Sequence, residues 1–203
     1  MMIYLLGGGG HASVLIDLLH LQMPQEELAI LDDNIPVGSY INRTPVVGCI
    51  ADLSESFVGQ AVIAIGKNAI RQKLAERFPN ANWVRLIHPR AILSPSVQIG
   101  PGTVIMANAV IQYGCSLGRH CIVNTAATID HEGCLADFVH LAPGTHLAGN
   151  VTIGQETFLG TGVAVIPGIV IGKKCIVGAG AVVIRDVTDE DTVAGIPARS
   201  IHP

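Results

Sequence analysis

The apolar positions of this chain follow two different rhythms. From Ile87 to Val183 every sixth residue is Leu, Ile or Val without exception, through Leu93, Ile105, Val123, Leu141, Ile153 and Val177. Two places before these positions stand mostly small residues, among them Thr103, Ala109, Cys115, Cys121, Ala127, Gly133, Thr145, Thr157, Cys175 and Ala181. A period of six matches neither the 3.6 of a helix nor the 2 of a strand. It fits a very short strand followed by a corner, repeated, with three such sides closing one coil of a triangular prism. Residues 86–203 are therefore expected to form a parallel β-helix of between five and six coils, in which residues eighteen apart stack and the periodic aliphatics fill the interior. No insertion breaks the period, so any site must be built from the faces and corners of the coils themselves.

Residues 1–85 read differently. Ile3 to Leu6 is an apolar run of strand type, Gly7 to Gly10 a glycine turn, and His11 to Leu19 an apolar pattern at helical spacing. Leu28 to Leu31 predicts a second strand ending in Asp32-Asp33, and Ala61 to Ile65 a third ending in Gly66-Lys67-Asn68, with a helix over Ala69 to Phe78. This is a small Rossmann-like βαβαβ unit, whose ligands sit outside the carboxyl ends of the strands. Residues 34–48, with Pro36, Gly38, Pro45 and Gly48, read as loop and extended chain. A strand–glycine–helix turn directs backbone N–H groups and a helix N-terminus at an anion, which makes Gly9, Gly10 and His11 candidates for a phosphate or diphosphate. Asp32 stands about twenty residues beyond the glycines, where a ribose-binding acid is expected; Asp33 and Gly66 share that edge. The competing readings are a tight turn for the glycines and a solvated strand end for the two acids.

Composition narrows the class of function. The 203 residues include 23 glycines and 49% apolar residues but only 4% aromatics, so the core is built from small aliphatic side chains. The mean hydropathy of +0.49 follows from a prism that buries one aliphatic per side. The uncharged stretch Ala91 to Gly118 contains Pro95, Gln98, Pro101, Asn108 and Gln112, which a lipid-facing helix does not tolerate together. A net charge of -4 without a basic run argues against nucleic acid and membrane surfaces and for a small-molecule partner. Five cysteines without a C-x-x-C indicate neither a disulfide framework nor a zinc ribbon. The N-terminus lacks a basic segment and a signal core, which predicts a cytoplasmic protein.

Of the eight histidines, His131 is the strongest base candidate: it lies two residues past Ile129, on the outer face, between Asp130 and Glu132. Eighteen residues further stands Gly149, which leaves space beyond His131 for a thin pantetheine arm. The hexads Ile99-Gly100, Leu117-Gly118, Ile153-Gly154, Leu159-Gly160, Ile171-Gly172 and Val177-Gly178, with the exit Val193 to Arg199, resemble the left-handed β-helix acyltransferases. Joined to the glycine turn, Asp32-Asp33, Ala64 to Asn68, Leu86 to Pro89 and Asn124 to Glu132, they resemble the bacterial nucleotide-aminosugar N-acetyltransferases of the bacillosamine and perosamine pathways. Sialic acid O-acetyltransferases are near relatives of that family.

The resemblance implies a left-handed coil, a homotrimer, and acetyl-CoA as acetyl donor in the groove between two prisms, with no metal. It implies a nucleotide-linked amino sugar as acceptor, a UDP-4-amino sugar first, with GDP and dTDP open. It assigns His131 as general base with Glu132 orienting it, Asp130 remaining the alternative carboxylate, and places Asn124 on the substrate side. It puts His140 at a position that contacts acetyl-CoA, and the column Pro143, Thr161, Ala179 where the family's backbone binds the cofactor's amides. Lys173, Lys174, Arg185 and Arg199 are candidates for the phosphates of coenzyme A. Three other functions remain open: O-acetylation of a sugar hydroxyl, a γ-carbonic-anhydrase-like zinc enzyme drawing on His120, His131, His140 and His146, and a non-catalytic assembly platform.

Overall fold

The computed structural model describes residues 2–201, and the chain divides into two compact units, Met1–Leu86 and Ile87–Pro203. In the first, strand β1 (Met2–Leu6) leads into helix α1 (Gly10–Gln22) and strand β2 (Glu27–Leu31). A hairpin of β3 (Tyr40–Ile41) and β4 (Thr44–Gly48) follows, then β5 (Gln60–Ile63), helix α2 (Asn68–Arg77) and β6 (Asn82–Trp83). The sheet order is β3-β4-β2-β1-β5-β6, parallel throughout except for the hairpin. Ile3, Leu5 and Leu6 of β1 and Ala61, Val62 and Ile63 of β5 are buried, as a parallel strand covered on both faces requires. The chain leaves β1 toward β2 on one side and returns to β5 on the other. The loops after β1 and β5 therefore diverge and open a crevice at the carboxyl edge, the usual ligand position in such sheets.

The βαβαβ expectation needs one refinement: between β2 and β5 there is no helix. Residues 34–48, expected as loop, instead form the β3–β4 hairpin, and β4 extends the sheet beside β2. Pro36, Gly38, Pro45 and Gly48 forbid a helix there.

The second unit is a β-solenoid of strands two residues long, or three at Thr192–Ala194, stacked into three sheets, one per prism face, parallel except where Arg199–Ser200 pairs antiparallel with Thr192–Ala194. Residues eighteen apart pair in register, for example Val110, Thr128, His146, Ala164 and Val182. The periodic aliphatics from Ile105 to Val183 are all buried, whereas Ile87, Leu93 and Ile99 in the first coil are partly buried. Cys115, Cys121 and Cys175 lie in the same core, and burial pushes the thiols of Cys115 and Cys175 up. The interior threonines keep their hydroxyls bonded: Thr103 donates to the Gly118 carbonyl at 2.7 Å and Thr157 to that of Gly172 at 2.6 Å. At the corners, one residue in every hexad from Gly102 to Gly180 adopts a left-handed conformation, with φ between 53° and 75°. Its N–H bonds the coil before it, as Glu132 does to the Tyr113 carbonyl at 2.8 Å and Gly144 to Thr125 at 2.9 Å. That ladder holds non-glycine residues in a conformation that costs roughly 1–2 kcal/mol each.

Ile153, fully buried between Leu135 and Ile171 in the stack, tests this packing. Ile153→Ala should destabilise by about 2–5 kcal/mol, read as a lower denaturant midpoint; an unchanged midpoint would mean that the prism interior is not close-packed.

Candidate active site

Two places bring the candidate residues together, one in each unit. In the first, the crevice at the carboxyl edge is lined by the glycine turn. Gly9 is the N-cap of α1 and offers no side-chain cap. A Cβ on Gly9 or Gly10 would meet nothing within 4 Å, so both backbones face open space beside a helix N-terminus. Gly8 differs, because a Cβ there would fall 2.7 Å from Ile35 and 2.8 Å from Ile41. Those two side chains, from the loop after β2 and from the hairpin, pack directly over the turn.

Asp32 is where a ribose-binding acid was expected, yet its carboxylate is engaged in holding backbone. Oδ2 accepts from the Gly8 N–H at 2.7 Å, and Oδ1 accepts from the N–H groups of Asn34 at 2.8 Å and Ile35 at 3.2 Å. It ties the glycine turn to the loop after β2. Asp33 accepts from the Ala51 N–H at 2.8 Å through Oδ1, so its carboxylate is committed to a chain segment outside the turn. Gly66, at the end of β5, gives its carbonyl to Arg71 at 2.8 Å. His11 lies mostly buried; burial first and the charge of Arg71 second push its imidazole down to about 4. It is therefore neutral near pH 7, and its Nε2 is buried without a hydrogen-bond partner.

The second place is the prism corner after strand Thr128–Ile129. His131 lies there with about half of its side chain exposed, its Nδ1 3.4 Å from Glu132 Oε2. The Asp130 carboxylate is turned the other way and accepts the His131 backbone N–H at 2.8 Å, which makes Glu132 the carboxylate that meets the imidazole. Glu132 occupies one of the left-handed corner positions, at φ 59°, so the coil ladder fixes its backbone. Gly149 is correctly placed in the column of His131, but the space it leaves is taken: a Cβ on Gly149 would fall 2.4 Å from both Cε1 and Nε2 of His131. The imidazole is seated over Gly149, in the gap expected for a pantetheine arm.

His140 and Asn124 belong to another corner. Asn124 follows strand Ile122–Val123, His140 opens strand His140–Leu141 in the same sheet, and His140 Nε2 is 3.4 Å from Asn124 Nδ2. The structure thus pairs Asn124 with His140 and puts neither on the His131 corner. Between the two corners runs a face with a shallow groove of about 400 Å³ lined by Thr128, Asp130, His146, Ala148 and Ala164. His146 Nδ1 lies 3.0 Å from the Thr128 hydroxyl there. Thr161 and Ala179 are exposed, next to Gly144, Gly162 and Gly180, where a Cβ would meet nothing within 4 Å. That corner is a bare backbone ridge. Among the described residues no group of three or more His, Cys, Asp or Glu is arranged to hold a metal ion, and His120 is stacked on Phe138 inside the corner column at 5.4 Å. Among the described residues no helix is long and apolar enough to cross a membrane.

Sequence reasoning missed Arg71, which reads as a solvated helix charge but is 2% exposed. It also missed Ile35 and Ile41, which only the contact with Gly8 identifies.

Comparison with known proteins adds a family. Residues 2–78 match the PglD N-terminal domain, residues 96–131 the bacterial transferase hexapeptide (six repeats), and residues 150–185 the hexapeptide repeat of succinyl-transferase. A mutant of perosamine N-acetyltransferase from Caulobacter crescentus, solved in complex with CoA and GDP-perosamine, is 37% identical with a TM-score of 0.93, over 100% of this chain and 98% of that one. The acetyltransferase domain of PglB from Neisseria gonorrhoeae, in complex with acetyl coenzyme A, is 40% identical with a TM-score of 0.91, over 98% of each chain. The UDP-N-acetylbacillosamine N-acetyltransferase of Bacillus subtilis is 40% identical over 108 residues, which are 51% of this chain and 50% of that protein. The chain thus spans half the length of that curated relative.

The Gly149 seat gives a direct test. Gly149→Ala should push the imidazole off its position and lower kcat at least tenfold in acetyl transfer, with the melting temperature and both KM values close to wild type. Unchanged kcat would show that the seated position of His131 does not matter to the reaction.

Proposed function

Since the chain belongs to the hexapeptide-repeat acetyltransferases that carry a PglD N-terminal domain, we propose that it moves the acetyl group of acetyl-CoA onto the amine of a nucleotide-diphosphate-linked amino sugar. The observation that carries the reading is the His131 corner. Nδ1 faces Glu132, which favours the tautomer with its proton on Nδ1 and leaves the Nε2 lone pair as the base. The amine nitrogen attacks the thioester carbonyl carbon while Nε2 takes its proton. The tetrahedral adduct then collapses with loss of the C–S bond, and the departing thiolate recovers the proton from the imidazolium. The products are the N-acetylated sugar nucleotide and coenzyme A.

The acceptor reading rests on the first unit. Open backbone at Gly9 and Gly10, a helix N-terminus and the loop of Gly66 suit a diphosphate, and a free sugar would leave them unused. UDP is the first candidate nucleotide and GDP the second, in line with the names of the relatives. For acetyl-CoA, the bare ridge of Thr161 and Ala179 suits the pantetheine amides, with His140 and Asn124 near the acetyl end. These residues stand on a different corner from His131, which supports a homotrimer in which one prism supplies His131 and another the His140 corner. We place the reaction in the cytoplasm.

The first test is kinetic. With acetyl-CoA and a UDP- or GDP-linked 4-amino sugar, thiol release should require the sugar, and His131→Ala should lower kcat by about a hundredfold or more without a large change in sugar-nucleotide affinity. A His131→Ala enzyme with normal kcat removes the base from the mechanism. Light scattering should report a trimer, and an active monomer would contradict the shared site.

The second test separates nucleotide from turn. Because a Cβ at Gly10 meets nothing within 4 Å beyond its own chain neighbours and helix backbone, Gly10→Asp should keep the melting temperature while raising the KM of the nucleotide sugar at least tenfold and sparing that of acetyl-CoA. Normal KM for both substrates would mean that the nucleotide binds elsewhere.

A further inference from the structure

Arg71 is a charged side chain in the interior of the first unit, 2% exposed. A guanidinium does not shed its proton to escape burial, so an arginine is kept inside only where its donors and its charge are used. Nη1 donates to the carbonyls of Gly66 at 2.8 Å and Ile65 at 3.3 Å, in the loop after β5, and Nη2 to Oδ1 of Asn68, the first residue of α2, at 2.9 Å. That loop forms one bank of the crevice. The glycine turn is the other bank, and the two touch, since a Cβ on Gly7 would fall 2.6 Å from Ile65 Cγ1. The charge of Arg71 is also felt across the crevice, at the His11 imidazole.

We propose that Arg71 is the positioning residue of the diphosphate subsite, fixing the loop after β5 against the glycine turn and supplying positive charge from behind the backbone that meets the ligand. The proposal rests on the nucleotide-sugar reading above and adds to it the source of charge. The N–H groups of Gly9 and Gly10 contribute dipoles, and no cationic side chain comes from the turn Gly7 to Gly10 itself. A buried guanidinium a short distance away is screened little by solvent, so it acts on a dianionic group but hardly on a neutral nucleoside.

Titration calorimetry on the full chain tests this with UDP, GDP, dTDP and the matching nucleosides as probes. Wild-type protein should bind one of the three diphosphates more tightly than its nucleoside. Arg71→Gln should weaken that diphosphate about tenfold or more while leaving the nucleoside within about twofold, and Arg71→Lys, which keeps the charge, should stay within about threefold of wild type for both. A folded Arg71→Gln protein with wild-type diphosphate affinity overturns the proposal. So does an equal loss for nucleoside and diphosphate, which is what a purely structural arginine would give. If Arg71→Gln does not fold, Arg71→Lys decides: a loss beyond tenfold in diphosphate affinity overturns the role of the charge. Wild-type protein that binds none of UDP, GDP and dTDP overturns the nucleotide reading itself, an outcome distinct from failure of the variants alone.

Discussion

Everything in the second unit depends on one constraint, the stacking of each coil on the coil eighteen residues before it. The strands are two or three residues long and none would persist alone. They exist because every backbone group on a face is paired above and below, and because an aliphatic side chain from each side meets its equivalents inside. The same stacking dictates what stands outside. A corner residue must take a left-handed conformation whether or not it is glycine, and a side chain on one coil claims space that the next coil has to concede. His131 and Gly149 are one such bargain, and Glu132 is held beside the imidazole by a corner geometry it did not choose. The His131 corner is therefore a local choice of residues on a regular scaffold, with no dedicated loop.

The first unit works by a different constraint, the divergence of the loops after β1 and β5. Here both acids hold backbone. Asp32 receives three backbone N–H groups, so its charge is spent on holding the glycine turn against the loop after β2. Removing it would leave three donors unsatisfied, a structural fault more than a lost contact. Arg71 lies below the surface beside the loop of Gly66, and its charge adds to burial, the larger cause, in keeping His11 neutral.

How much of this was legible depended on whether a feature is periodic. The prism was, down to its inward cysteines, because burial recurs every six residues and leaves no freedom in register. The pairing of His131 with Gly149 was legible as arithmetic, but its meaning was not: spacing says which residues stack, and only the geometry says that the ring occupies the gap. The β3–β4 hairpin was missed because strands of two to five residues rich in proline and glycine carry no period. Arg71 was missed for a related reason. On a short helix with little apolar face, nothing in the pattern distinguishes a buried charge from a solvated one. His140 was assigned to acetyl-CoA and Asn124 to the substrate side, and their meeting on a corner next to that of His131 follows from the threefold cross-section, which a linear list of candidates does not display.

The account's central claim is that this corner acetylates an amine delivered on a nucleotide. The most direct measurement is the mass of the product formed from acetyl-CoA and a UDP- or GDP-linked 4-amino sugar, beside the matching 4-hydroxy sugar. The account predicts a sugar nucleotide heavier by one acetyl group, held as an amide that resists mild base, from the amino sugar alone. Acetylation of the hydroxy sugar with the amino sugar left untouched, giving a base-labile ester, would contradict it.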